Sequence, residues 1–339
     1  MRKGKGLFRT AVVTIILALA LVALLAGCQQ REAAAERPAA DARPGEGMYF
    51  RLVTHGGDDP FWAVVQQGMR DAAEELGARA DIALSGGDLS RQLRDFQDAV
   101  ASNPDGIALV INDESAWDQP VQDALDQGVP VAGINSDGSV NNPRLFYIGQ
   151  DEIAASRTLA ESVFSKARAD GVNMANAHVA FAAEVPGASY AQTRAAGVRQ
   201  AMEEYGITSF EMIDAGGLEM SVVESRMASY LTANPQTTFL LGAGGICTDR
   251  LMSALQAAGR APGEVYAGGF DAAPGTLEGI KAGYVISSID QQQYLQGYFA
   301  VYGLYLYNKF GLTPNVDTGG YLITEETAGL IEDLSGVYR

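Results

Sequence analysis

Residues 49–76 read YFRLVTHGGDDPFWAVVQQGMRDAAEEL, and the two ends of this stretch have different periods. Residues 49–55 form a short apolar run rich in aromatic and β-branched side chains, which suits a strand. From Pro60 to Leu76 the apolar residues return every three or four positions, the spacing of one helix face. Pro60 fits a first helical turn, where its missing N–H costs nothing, and Gly77 fits a helix end. A strand, a glycine-containing turn and a helix make up the repeating unit of α/β proteins.

Working outward, the same unit recurs. Strands are predicted over 79–84, 106–111, 129–134 and 145–148, with helices over 89–102 and 115–127. Gly128, Pro104 and Pro130 punctuate the helix ends. The second half repeats the plan, with strands over 177–181, 210–213, 238–241, 265–269 and 285–289. Its helices are predicted over 189–205, 219–233, 248–258 and 273–282, followed by a long one over 291–310. Apolar strands alternating with helices argue for parallel sheets covered on both faces. A short echo links the halves: residues 103–110 (NPDGIALV) and 234–241 (NPQTTFLL) each stop a helix and start a buried strand. Tyr294, Tyr298, Tyr302 and Tyr305 recur at helical spacing in the last helix and read as a face packed into a core.

Composition narrows the function. The 339 residues allow two domains, and 47% hydrophobic against 19% charged residues describes a globular chain. The formal charge of −17 argues against a nucleic-acid partner, whose recognition needs clustered Lys and Arg. Two cysteines allow at most one disulfide, and two histidines, His55 and His178, nearly exclude a His-based metal site. No D-x-[DN]-x-[DN]-G calcium loop is present, so no metal is expected. His178 lies in an apolar strand and reads as a satisfied core residue. Cys247 reads as a small buried hydrophobe.

Residues 1–28 read MRKGKGLFRTAVVTIILALALVALLAGC. A basic head, an apolar run and small residues before Cys28 form an export signal, removed before folding counts. Leu25-Ala26-Gly27-Cys28 resembles the lipobox of bacterial lipoproteins, which implies cleavage before Cys28 and its lipidation. The other reading is an uncleaved membrane anchor, and both tether the exported domain to a membrane. Removal of residues 1–27 leaves the chain four charges more negative. Residues 28–47 (CQQREAAAERPAADARPGEG) carry no aromatic and read as a flexible tether.

In doubly wound sheets, ligands bind beyond the carboxyl ends of the strands. The first strand is followed by His55, two glycines, Asp58, Asp59, Pro60, Phe61 and Trp62. Carboxylates beside flat aromatic faces match the hydroxyl rim and C–H faces of a carbohydrate. A plain helix start, with Asp59 as cap and the two aromatics in the core, fits this stretch equally well. Other strand ends carry Asn135-Ser136-Asp137, Phe270-Asp271 and Asp290-Gln291-Gln292, and Arg194 opens a helix after a strand. Arg and Asp suit hydroxyls because charge-assisted hydrogen bonds are the stronger kind.

From Tyr49 to about Glu326 the chain resembles the periplasmic sugar-binding proteins of the ribose/galactose-binding type. These are type I periplasmic binding proteins, the solute receptors of ABC importers. The matching pieces are Asp59-Pro60-Phe61-Trp62, residues 128–131 (GVPV), 194–198 (RAAGV), 268–274 (GGFDAAP) and Ile289-Asp290-Gln291. The resemblance implies two doubly wound, Rossmann-like α/β domains joined by a three-segment hinge. They would span 48–150 plus 292–318 and 151–291 plus 319–339. Hinge neighbourhoods fall at Gly149-Gln150, Gln291-Gln292 and Gly319-Gly320. Carried over by position, the ligand contacts are Asp59, Phe61, Trp62, Arg194, Asp271 and Gln291. Asn135 and Ser136 stand where the family often has Asp-Arg, and Gly244-Gly245 where it often has Asn-Asp. His55, Asp137 and Gln292 are candidate replacements for the two lost anchors, with Asn135 beside them.

The resemblance further implies a monomer without cofactor, located in the periplasm or on the outer face of the cell membrane. Its partners would be a simple sugar or polyol, ABC permease subunits and the membrane through the lipid anchor. Sensing of a sugar or a furanosyl quorum signal, or nucleoside binding, are alternatives on the same fold. An enzyme is not expected. Gly242, Gly244 and Cys247 fail the dinucleotide fingerprint at its third glycine, and no G-x-S-x-G occurs. A repressor of the lactose type would carry a basic DNA-binding segment where this chain has its export signal and tether.

Overall fold

The chain runs through β1 (Tyr49–Thr54), α1 (Pro60–Leu76), β2 (Arg79–Leu84), α2 (Leu89–Ala101), β3 (Gly106–Leu109), α3 (Asp118–Asp126), β4 (Val131–Asn135) and β5 (Tyr147–Gly149). It continues with α4 (Glu152–Ala169), β6 (His178–Ala183), α5 (Ser189–Tyr205), β7 (Ser209–Asp214), α6 (Met220–Ala233), β8 (Phe239–Gly242), α7 (Gly245–Asp249) and α8 (Leu251–Ala257). Then follow β9 (Tyr266–Phe270), α9 (Pro274–Lys281), β10 (Val285–Asp290), α10 (Gln293–Phe310), β11 (Val316–Asp317), β12 (Tyr321–Ile323) and α11 (Glu325–Ile331). This computed structural model describes residues 43–58, 60–113 and 115–339. Cys28 and Asp59 lie outside the described residues, as do the export signal and most of the tether.

The strands form two six-stranded sheets of equivalent order, β11-β5-β4-β3-β1-β2 and β12-β10-β9-β8-β6-β7. All pairings are parallel except β10 with β12. β3 and β8 occupy equivalent places in the two sheets, which accounts for the echo between residues 103–110 and 234–241. Each sheet is buried on both faces, as its apolar strands require. In the first, Phe50, Leu52, Ile134 and Ile148 face α1 and α10, while Val53, Ile107, Leu109 and Val131 face Phe96 and Trp117. In the second, Phe181, Phe239 and Phe270 face α4 and α5, while Ala182, Leu240 and Ala267 pack against α6 to α9.

The chain passes between the sheets three times: after β5, after β10 and between β11 and β12. α10 therefore packs on the first sheet although β10 belongs to the second. It lies against α1 at a close approach made by two glycines. A Cβ on Gly68 would lie 2.0 Å from the Tyr294 carbonyl oxygen, and one on Gly297 would lie 2.0 Å from that of Val65. The tyrosine stripe follows this contact. Tyr305 is buried, while half-buried Tyr294 donates its hydroxyl to Asp71 and Tyr298 and Tyr302 donate theirs to Glu75.

Most predicted elements are present with ends within three residues, and α1, β2 and α5 coincide with their predicted spans. The predicted helix over 248–258 is instead two, α7 and α8, broken at Arg250 and starting earlier, at Gly245. α4, β11, β12 and α11 were not predicted. α4 has a regular buried stripe, but Ala155, Ser156, Ala160 and Ala167 make up much of it, so its apolar signal is weak. Its ends carry ordinary signals: Asp151 accepts from the backbone N–H groups of Ile153 and Ala154, and Lys166 and Arg168 occupy the last turn. His178 is half-buried rather than core, and both ring nitrogens have partners, the Ser209 and Tyr230 hydroxyls.

Gly297→Ala is expected to destabilise the protein by about 1–3 kcal/mol, the scale of overpacking at a closely packed contact. Urea unfolding of wild type and variant measures this, and an unchanged midpoint would mean that the helices separate freely.

Candidate functional site

Parallel strands bring their carboxyl ends to one edge, and in the second sheet that edge is polar. Arg194, in the second turn of α5, is 4% exposed. Its guanidinium donates to both Glu152 oxygens (2.5 and 3.0 Å), to the Ala243 carbonyl (2.7 Å) and to Gln291 Oε1 (3.0 Å). The Phe270 ring lies beneath it, 3.9 Å from centroid to Cζ, a cation–π arrangement. Burial opposes the charge, but Glu152 and then Asp271 more than offset this and hold Arg194 above the ordinary arginine range.

Asp271 follows β9 with φ +72°. The Ile289 carbonyl takes its backbone N–H at 2.7 Å, and Oδ1 accepts from Gln291 Nε2 (2.7 Å) and Gln293 Nε2 (3.2 Å). Burial raises its carboxyl to about 7, against the lowering influence of Arg194 and the Gln291 hydrogen bond. Gly245 is the reason Asp271 fits: a Cβ there would lie 2.4 Å from Asp271 Oδ2. Glu184, just after β6 and 4% exposed, stands in the same relation to Gly244, where a Cβ would lie 2.8 Å from Oε1. Glu184 accepts from the Cys247 backbone N–H (2.8 Å) and the Tyr190 hydroxyl (3.0 Å). Cys247 is fully buried, and burial, then Glu184, pushes its thiol far up, so it is an unreactive thiol.

On the first sheet, His55 follows β1 and meets the Trp62 ring edge-on at 5.6 Å. Its Nδ1 is buried without a hydrogen-bond partner, and burial lowers the imidazole to about 4. Trp62 is 4% exposed and belongs to the core under β1, with Gly56 leaving room for its indole. Phe61 is half-buried against that core, 5.1 Å from Trp62. Asn135 ends β4 with φ +62°, and its Nδ2 donates to Gln296 Oε1 at 3.2 Å. Asp137 forms a two-pronged ion pair with Arg144, whose stem passes over Gly133. Tyr147 donates its buried hydroxyl to the carbonyls of Asn135 and Gln150. Burial, then Glu152 and Asp137, raise that hydroxyl while Arg194 and Arg144 lower it, so both ion pairs act on this one group.

The crossings are tied by amides. Gln296 Nε2 donates to the Gln291 carbonyl (3.1 Å) and Thr318 Oγ1 (3.3 Å), and Gln292 Nε2 donates to the Thr318 carbonyl (2.8 Å). Of the sequence-predicted residues, Arg194, Asp271 and Gln291 are thus in direct contact, and His55, Phe61 and Trp62 form a second group. Asn135 joins the crossings through Gln296, Gln292 through Thr318, and Asp137 is engaged by Arg144. The sequence reading missed Glu152, Glu184, Arg144, Tyr147, Gln293 and Gln296. Glu184 follows a predicted strand by three residues and was within reach of the strand-end rule. Among the described residues no group of three His, Cys, Asp or Glu side chains is placed to hold a metal ion. A shallow groove of about 840 Å³ between α6 and α8 lies apart from these groups, lined mostly by Ser, Ala and Thr with Glu219, Glu224 and Arg250.

Two sheets of equivalent order, parallel but for one edge strand, and three crossings between them define a doubly wound α/β protein built of two similar halves. The sequence matches the periplasmic binding protein domain over residues 50–310, and the chain belongs to that family. It is 28% identical over 290 residues to the xylose/arabinose-binding protein XylF of Sulfolobus acidocaldarius, covering 80% of this chain and 70% of that protein. A periplasmic sugar-binding protein of an ABC sugar transporter from Legionella pneumophila superposes with a TM-score of 0.71 at 29% identity, covering 80% of this chain and 99% of that one. The fold is shared with a carbohydrate transporter from Acidothermus cellulolyticus 11B in complex with myo-inositol, at a TM-score of 0.75 and 24% identity, over 85% and 98% of the two chains. The first of these is named for binding sugars, the second for sugar binding and transport, and the third for carbohydrate transport.

The two perturbed groups have opposite effects on stability. Asp271, raised from about 4 to about 7 on folding, contributes stability that is complete below pH 4 and lost as pH rises through 7. His55, lowered to about 4, contributes stability that is present above pH 6.5 and lost as pH falls through 4. Relative to wild type, Asp271→Asn is therefore expected to gain stability from pH 4 to pH 8. His55→Asn is expected to gain from pH 7 to pH 4. Urea midpoints across this range test both, and parallel profiles would contradict the assignment.

Proposed function

We propose that this protein is the extracytoplasmic receptor of an ABC importer and binds a simple sugar or polyol between its two α/β halves. The observation that carries this reading is the contact of Arg194, Asp271 and Gln291 at the strand ends of the second sheet. A buried guanidinium, a carboxylate and an amide already oriented by one another match the rim of a polyhydroxylated ligand. The sugar-binding names of the relatives support the same class. His55, Phe61, Trp62, Asn135 and Asp137, with Asp59, are the proposed contribution of the first half. Closure would be a hinge motion at Gly149-Gln150, Gln291-Gln292 and Gly319-Gly320, with halves of 48–150 plus 292–318 and 151–291 plus 319–339. The closed form would then be recognised by permease subunits.

We further propose cleavage before Cys28, lipidation of its thiol and tethering of a monomeric receptor to the membrane. Residues 28–47 would be the tether. Cys28→Ser is expected to move the protein from the membrane fraction to the soluble fraction.

The test is a thermal-shift screen of the chain from residue 45 against pentoses, hexoses, inositols, nucleosides and a furanosyl quorum signal. A ligand that binds only the folded state adds about 2.7 kcal/mol of stability at one hundred times its Kd. A sugar or polyol hit is expected. Arg194→Ala and Asp271→Ala should each weaken its binding by about 1.5–3 kcal/mol, the scale of a hydrogen bond to a charged group. A hit confined to nucleosides or the quorum signal would overturn the sugar reading, and full affinity in both variants would overturn the site.

A further inference from the structure

Gln293 is the first residue of α10 and is 3% exposed. Gln292 before it has φ +51°, and the helix has no side-chain cap. The Gln293 side chain is turned instead toward the end of β9, where Nε2 donates to Asp271 Oδ1 at 3.2 Å. This contact fixes the carboxamide, because the reverse orientation would set two acceptor oxygens against each other. Its Oε1 is then left buried with no hydrogen-bond partner. Native structures keep few such groups, and one beside a binding site points to a donor that arrives from outside.

The surrounding groups show what kind of donor. Asp271 Oδ1 already has two donors, Gln291 and Gln293, and Gln291 Oε1 is taken by Arg194. No described residue donates to Asp271 Oδ2, which lies over Gly245 where a side chain would close the space. Glu184 is occupied by the Cys247 N–H and the Tyr190 hydroxyl. What this end of the site leaves open is therefore acceptor capacity on two neighbouring side chains.

We propose that Gln293 is a ligand-contacting residue, and that its Oε1 together with Asp271 Oδ2 reads two ligand hydroxyls as hydrogen-bond donors. This rests on the sugar or polyol reading of the site and assigns a specificity-determining role to a residue that follows the second crossing. It favours ligands with two adjacent free hydroxyls over those in which either is replaced by hydrogen, fluorine or an ether.

The experiment uses xylose, arabinose and myo-inositol, with the monodeoxyfluoro analogues of whichever binds, measured calorimetrically at pH 8, where the Asp271 carboxyl is ionised, on wild type and Gln293→Met. Fluorine cannot donate, so a hydroxyl read as a donor is not replaced by it. The expected result is at least a tenfold loss, about 1.4 kcal/mol, for one or two fluoro analogues on wild type. Gln293→Met should lose at least tenfold for the parent sugar and no longer discriminate against one of those analogues. Equal affinity of wild type and variant for the parent sugar, or wild type binding every fluoro analogue as well as the parent, would overturn the proposal. Where Gln293→Met does not fold, Gln293→Leu takes its place, and the analogue series on wild type can still overturn the proposal without either variant. A wild type that binds no sugar or polyol of the thermal-shift panel overturns the sugar reading, and this proposal with it.

Discussion

A guanidinium that is 4% exposed must find its partners inside the protein, and the partners of Arg194 organise the whole edge of the second sheet. They come from three places: Glu152 at the start of α4, the Ala243 carbonyl after β8, and Gln291 at the second crossing. Glu152 is two residues beyond Gln150, so the first crossing is fixed by the same charge. Gln291 in turn holds Asp271, and Asp271 is positioned over Gly245. Removing the arginine would leave buried acceptors on separate segments, which is why this contact holds together elements far apart in sequence.

The crossings themselves are joined differently. Asn135, Gln296, Gln292 and Thr318 are linked through neutral amide and hydroxyl groups, with no ion pair among them. Neutral hydrogen bonds exchange with water at a small net cost, whereas a buried ion pair resists separation. The proposed closure would therefore move the chain where its connections are easily replaced and keep the charged network of the second half intact. Gly319 is consistent with this: a Cβ there would lie 2.2 Å from that of Gln150, so the first and third crossings touch backbone to side chain.

Much of the fold was legible because a parallel sheet demands apolar strands on both faces, and that demand writes itself into runs such as residues 106–109 and 131–135. Punctuation by Pro60, Gly77 and Gly128 was equally direct. α4 escaped because its buried face is built largely of alanine and serine, which carry little hydrophobic signal. β11 and β12, of two and three residues, are too short for any period to show. In the site, Arg194, Asp271 and Gln291 were readable as polar residues near strand ends. Glu152 was not, because the helix that presents it was not seen. Gln293 and Gln296 were not, because a glutamine in a helix gives no sign in sequence of facing inward.

The departures from the related family take a physical form in the structure. Where Asn-Asp is often found, Gly244-Gly245 provides no side chain, and Glu184 and Asp271 occupy the adjoining space from other strands. Where Asp-Arg is often found, Asn135-Ser136 is followed by an acid–base pair assembled from Asp137 and Arg144, made possible by Gly133 beneath the arginine stem. In this chain the charges at both places thus stand on neighbouring positions. Around Arg194 the chain now places three carboxylates, Glu152, Glu184 and Asp271, with amide oxygens between them. Such an edge is poor in donors and rich in acceptors, so recognition there falls on what the ligand can donate.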